Sequence, residues 1–229
     1  MKSFGIAATL GFAVVALLFG QAVGLQAAFA AVRPASSIAY DGAAVAVYLL
    51  VGTPVQVVTL ALAARMTGED LLAYFGLNIP QRRDLAVAVG ALAVLIVAGD
   101  ALTFASGGEL VPSFQTELHR TALAEGALLP LWIAMIVVGP VGEEILFRGF
   151  LFRGFIHEPQ NALPGILAIS LIWALLHQYD WVGTTILFAL GVFLGFVRLI
   201  SGSTTLVIVL HMLWNLESVI ETVIALGWV

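Results

Sequence analysis

A chain of 229 residues that is 61% hydrophobic and only 10% charged carries more apolar surface than the core of a soluble domain needs. The net charge of −5 is spread over short polar stretches, with no basic arm or patch, so nucleic acid is not a partner. The absence of cysteine removes disulfides, thiolate metal sites and a cysteine nucleophile together.

Several apolar runs reach the roughly 20 residues needed to cross a hydrocarbon core. The fold expected is all-α: a polytopic transmembrane helical bundle of about seven spans plus short interfacial helices, forming a single membrane domain over residues 1–229. The first span covers about residues 4–32, behind Lys2. Ala28-Phe29-Ala30 also reads as a signal-peptide cleavage site, so removal of residues 1–30 is the alternative. The length of the run, with Gly20 and Gly24 at helix-packing spacing, favours a retained helix. A turn at Arg33-Pro34 leads to a second span over about 43–64. Residues 66–84 are polar and amphipathic, with Leu71, Leu72 and Phe75 expected on the membrane surface.

The third span covers about 85–105. Leu110, Phe114 and Leu118 recur every four residues, which predicts a surface helix within 107–125; His119 and His157 read as loop residues. The fourth span runs from about 127 to 155, kinked at Pro140. The fifth, about 163–177, extends only about 22 Å at 1.5 Å per residue, short of the roughly 30 Å core. The polar cluster His177-Gln178-Tyr179-Asp180 is therefore expected inside the protein or at an interface. The sixth and seventh spans cover about 181–200 and 204–228, with Gly191 and Gly195 allowing close helix approach.

Loop cations set the orientation. Lys2, Arg65, Arg82, Arg83, Arg148, Arg153 and Arg198 fall on one side, Arg33 and Arg120 on the other. The positive-inside rule then puts the N-terminus inside and the C-terminus outside. Short loops and an Ala/Val-rich composition point to a prokaryotic cytoplasmic membrane.

Three sets of polar residues remain at membrane depth, where they are expensive and usually functional: Glu143, Glu144 and Arg148; His177; and His211 with Asn215. Glu144 and Arg148 are one turn apart and can pair. Glu143 lies about 100° round the helix from Glu144, which separates a structural carboxylate from a reactive one. A count from the helix ends puts Glu143 and Asn215 at similar depth, roughly 17 Å in, and His177 deeper. A carboxylate beside a neutral imidazole can activate water, and imidazole and carboxamide N–H groups can stabilise an oxyanion. Peptide hydrolysis and proton or ion transport both remain open from these residues. Glu217 and Glu221, four apart, read as solvated or cavity-lining.

Glu-Glu-x-x-x-Arg, an aromatic-x-x-x-His and then His-x-x-x-Asn, in that order, resembles the CAAX protease and bacteriocin-processing family. That family of intramembrane glutamic endopeptidases includes the type II prenyl-protein endopeptidase and the Abi proteins. The matching residues are Glu143, Glu144, Arg148, Trp173, His177, His211 and Asn215. Trp173 stands where the family usually has phenylalanine and is expected only to pack. The resemblance implies a core catalytic region of about 127–228 in which Glu143 and His177 activate water and His211 and Asn215 hold the oxyanion. Glu144 and Arg148 would organise the site.

The substrate implied is a membrane-associated peptide or protein, with or without a lipid anchor, its peptide bond delivered into a cytoplasm-facing cavity; oligomeric state is not legible. No cofactor is implied, although zinc held by Glu143, His177 and His211 is an alternative mechanism. The alternative functions are a non-catalytic immunity or scaffold protein and a small proton-coupled transporter.

Overall fold

The computed structural model describes residues 4–32 and 38–228. Lys2, Arg33 and Pro34, which carry part of the orientation and turn expectations, lie outside the described residues. Regular structure among them is entirely helical. Seven helices among the described residues have the length and apolarity to cross a membrane: α1 (Ile6–Ala31), α2 (Gly42–Arg65), α4 (Arg82–Ala105), α6 (Leu128–Phe155), α7 (Pro159–Leu176), α8 (Trp181–Ser201) and α9 (Thr204–Ala225). The chain is an all-helical integral membrane protein. Two short helices, α3 (Leu71–Phe75) and α5 (Ser113–Ala124), lie between spans.

Side-chain caps fix several helix starts, because the first amides of a helix lack internal partners. Asp41 accepts from Ala44 N at 2.9 Å, Asp180 from Gly183 N at 2.8 Å and Ser203 from Leu206 N at 3.1 Å. α1 packs along α2 through glycine. A Cβ on Gly52 would stand 2.6 Å from the Gly20 carbonyl oxygen, so only hydrogen fits there. α1 is thus a packed member of the bundle.

The interhelical segments segregate to two ends. At one end Thr204 N donates to Gly76 O at 2.8 Å, Asn78 Nδ2 donates to Gly202 O at 3.0 Å, and Arg153 pairs with Glu69. Arg65, Arg82, Arg83, Arg153 and Arg198 gather there. At the other end Gly42 N donates to Thr121 Oγ1 at 2.8 Å and the rings of Phe114 and Tyr179 stand 5.7 Å apart.

Both short helices differ from a simple surface placement. α3 turns Tyr74 and Phe75 into the core and leaves Leu72 exposed, because Asp70 caps its start and left-handed Gly76 reverses the chain at its end. Leu110 precedes α5, which buries the i, i+3, i+4, i+7 stripe Gln115, Leu118, His119 and Ala122. His119 is therefore a buried helical residue, its Nδ1 bonded to Gln115 O at 2.8 Å.

α6 departs most from expectation. Instead of one kinked α-helix, it carries two π-helical stretches, Ala134–Val138 and Ile145–Leu151, flanking the α-helical stretch Gly139–Glu144. Such widened turns are rare and cluster at functional sites. They leave carbonyls to be met from elsewhere. Gly139 N reaches back five residues to Ala134 O. In that register the next amide would serve Met135 O, but it belongs to Pro140, which has no N–H. Asn215 Nδ2 takes the orphaned Met135 carbonyl at 2.7 Å. Gln56 Nε2 adds a second donor at 3.1 Å to Gly142 O, which also accepts a backbone N–H at the end of the α-helical stretch, and Arg198 Nε donates to Arg148 O at 3.1 Å.

Candidate active site

The α-helical stretch between the π turns presents its two carboxylates to different partners. Glu144 is wholly buried. It accepts from Arg148 Nη1 at 2.8 and 3.0 Å, one turn along, and from His211 Nδ1 at 2.8 Å. Arg148 is equally buried, and its Nη2 donates to Gly191 O at 3.0 Å. The charges are thus paired and saturated, the condition under which buried ions are tolerated.

Glu143 turns the other way. Its side chain keeps 34% of its exposure and that of His177 27%, so both are reachable from a cavity. Glu143 Oε2 lies 3.8 Å from His177 Nε2 and accepts from Trp173 Nε1 at 2.6 Å. His177 Nδ1 lies 2.8 Å from Trp173 O. A carbonyl can only accept, so Nδ1 carries the proton and the Nε2 of the neutral ring offers a lone pair toward Glu143. The acceptor arises from the helix end: His177 N bonds Ala174 O, leaving Trp173 O to the ring.

The aromatic at position 173 does more than pack. Besides the bond to Glu143, its ring lies under the Arg148 guanidinium at 4.9 Å and edge-on to His177 and His211 at 4.9 and 5.5 Å. It joins the exposed pair to the buried triad. The signal was present in the side chain itself, since tryptophan carries an N–H that phenylalanine lacks.

The predicted residues therefore form two linked groups, Glu143 with His177 and Glu144 with Arg148 and His211. Asn215 bonds α6 at Met135, eight residues before Glu143 and nearer the end of the bundle that holds His177. His211 uses its Nδ1–H on Glu144, so its other nitrogen can donate only from the imidazolium form. Tyr179 stacks on His177 at 6.3 Å, and burial pushes its phenol up, against an opposing hydrogen bond with Gln115 and with a smaller push from Glu143.

A cavity of about 320 Å³ borders Glu143, Trp173 and His177 together with Gly52, Thr53 and Gln56. A second, of about 780 Å³, shares His177 and Gln178 and reaches Asp100, Glu217 and Glu221. Among the described residues, the carboxylate and histidine groups whose donor atoms gather within 4.8 Å are Asp100, Glu217 and Glu221. Glu143, His177 and His211 are not assembled as a three-ligand zinc site. The larger cavity is lined by Tyr40, Glu109 and Asp180, the end opposite the arginine-rich one. A cytoplasm-facing cavity and the orientation read from the cations are therefore incompatible. The reason is that His177 closes a span running away from the arginine-rich end.

Residues 125–216 match a protein family described as Rce1-like, type II CAAX prenyl endopeptidase Rce1-like. A stretch of 103 residues is 31% identical to the sporulation-killing factor biosynthesis protein SkfC of Bacillus subtilis (strain 168), covering 43% of this chain and 21% of that protein. The chain thus spans about a fifth of the length of that curated relative. No solved structure matches. Every residue of the two linked groups, and Asn215, falls inside the matched stretch.

Proposed function

We propose that this chain is an intramembrane glutamic endopeptidase of the CAAX protease and bacteriocin-processing family, a reading supported by the Rce1-like match over residues 125–216. The observation that carries the reading is the cavity-facing pair of acceptors, Glu143 Oε2 and His177 Nε2, 3.8 Å apart. A water seated between them donates one O–H to each. As its oxygen adds to the peptide carbonyl carbon, Glu143 takes the proton, and the carbonyl becomes an oxyanion. Asn215 offers its second N–H to that oxygen, and the ring of His211 is the other donor the reading assigns to it. Collapse breaks the C–N bond while Glu143 returns the proton to the leaving nitrogen, giving an amine and a carboxylic acid, which releases its remaining proton to solvent as it leaves. Glu144 and Arg148 fix the helix and His211 but touch no reacting atom.

The chain acts as a single membrane domain with its catalytic region at about 127–228. The substrate is a membrane-associated peptide or protein; a prenyl group is not part of the reading. With the arginine-rich end in the cytoplasm, the N-terminus lies inside, the C-terminus outside, and the larger cavity opens away from the cytoplasm. The test is comparative proteomics of membrane peptides from cells carrying wild type or Glu143→Gln. Peptides that accumulate with the variant, and that purified wild type cleaves, support the reading. Identical peptide profiles together with no cleavage by purified protein overturn it. Loss of proton or ion flux instead favours a carrier, for which Asp100, Glu217 and Glu221 are the natural intramembrane groups.

A further inference from the structure

We infer that Trp173 is the positioning residue of the Glu143–His177 pair, setting the orientation of both members through one residue. The inference rests on the endopeptidase reading for its kinetic consequence and on geometry alone for the contact itself. A carboxylate on a helix can rotate about three side-chain torsions, and only a narrow range brings one oxygen near His177. Trp173 restricts that range by donating Nε1–H to Glu143 Oε2 at 2.6 Å, the same oxygen that stands 3.8 Å from His177 Nε2. The backbone of the same residue fixes the other partner, since Trp173 O receives the His177 Nδ1 proton at 2.8 Å and so selects the tautomer with a free Nε2.

The indole is itself held rigidly. Trp173 is 1% exposed, and its face is covered by a guanidinium that cannot move without breaking the Glu144 pair. His211 closes a further side edge-on at 5.5 Å. The ring therefore carries the placement of the buried triad to the exposed pair. A phenylalanine at 173 would keep the packing and the backbone acceptor but would leave Glu143 free to turn. The distance that matters for water activation would then be populated only part of the time.

The experiment has two arms on the full chain in nanodiscs. In the first, Trp173→Phe is compared with wild type in cleavage of a peptide identified as a substrate. The expected result is a kcat lower by about 10-fold or more with KM within about 2-fold, at unchanged thermal stability. A purely structural role would instead lower activity in proportion to the folded fraction. Should Trp173→Phe fold poorly, 3-benzothienylalanine at position 173 keeps the bicyclic ring and lacks the N–H. In the second arm the indole N–H resonances of the five tryptophans are recorded, and the Trp173 signal, assigned by its loss in Trp173→Phe, is expected to move in Glu143→Ala. An unmoved signal, or a wild-type kcat without the indole N–H, overturns the inference. A moved signal in a protein that cleaves no peptide leaves the positioning contact standing and refutes the endopeptidase reading instead.

Discussion

Asn215 provides a prediction that separates a structural role from a chemical one. Its Nδ2 bonds Met135 O at 2.7 Å, a carbonyl left open because Gly139 N reaches Ala134 O and the following residue, Pro140, has no N–H. Asn215→Ala removes that donor. Interhelical hydrogen bonds in membrane proteins average about 0.6 kcal/mol and reach about 1.7, and a buried carbonyl left unpaired costs roughly 1–3 kcal/mol. The expected destabilisation is therefore about 1–2 kcal/mol. Pro140→Ala restores an amide at the position that faces Met135 O, so in that background Asn215→Ala should cost about 1 kcal/mol less. The assay is a double-mutant cycle by denaturant titration in mixed micelles. Additivity within about 0.3–0.5 kcal/mol would show that Pro140 does not create the orphan, and the account of the first π turn would fail. Activity supplies the second half: if the remaining N–H of Asn215 serves the oxyanion, the double variant regains stability without regaining cleavage.

Three further outcomes follow from other parts of the molecule. Arg148→Met leaves the wholly buried Glu144 with His211 alone and should destabilise by about 3–5 kcal/mol; Glu144→Gln with Arg148→Met should cost clearly less than the two single changes together, as read by the same titration. Burial holds His119 below its ordinary value of 6.5, against a weaker opposing effect of the Gln115 carbonyl. The folded state therefore binds that proton less readily than the unfolded one, so the contribution is full above about 6.5 and is lost as pH falls toward the folded value. His119→Asn should flatten the acid side of a melting-temperature profile, and an unchanged profile would refute this. Because the chain has no cysteine, single-cysteine variants need no altered background: Glu109→Cys should react with an impermeant maleimide on intact cells and Gln160→Cys only after permeabilisation. The reverse pattern would put the larger cavity on the cytoplasmic side.

The spans and their order were legible because hydrocarbon thickness imposes a length and a composition on each helix, and the glycines marked where two helices touch. The pairing of Glu144 with Arg148 was legible for a similar reason, being one turn of local geometry. What sequence periodicity missed lies in tertiary contacts. His119 read as a loop residue because α5 buries a stripe mixing Gln115 and His119 with Leu118 and Ala122, which hydrophobic spacing alone does not register. The role of Trp173 was hidden by treating aromatic residues as interchangeable, when the difference is one N–H directed at Glu143. The direction of the cavity followed from the expected loops, yet it emerges only when His177 is assigned to the end of a span that leaves the arginine-rich side.

The π turns explain how adjacent carboxylates on one helix serve separate tasks. In an unbroken α-helix each carbonyl already accepts from its own chain, so a neighbour can add only a second donor, as Arg148 Nη2 does at Gly191 O in α8. Here Met135, Gly142 and Arg148 accept from Asn215, Gln56 and Arg198, so α9, α2 and α8 are bolted directly to the backbone of α6 around Glu143 and Glu144. Those attachments fix the rotation of the stretch that carries both glutamates. Glu144 is then held toward Arg148 and His211 and Glu143 toward Trp173 and His177, with the indole between them. A substitution that lets α6 relax to a regular helix should therefore disturb both carboxylates together, whereas loss of the indole N–H should release Glu143 alone.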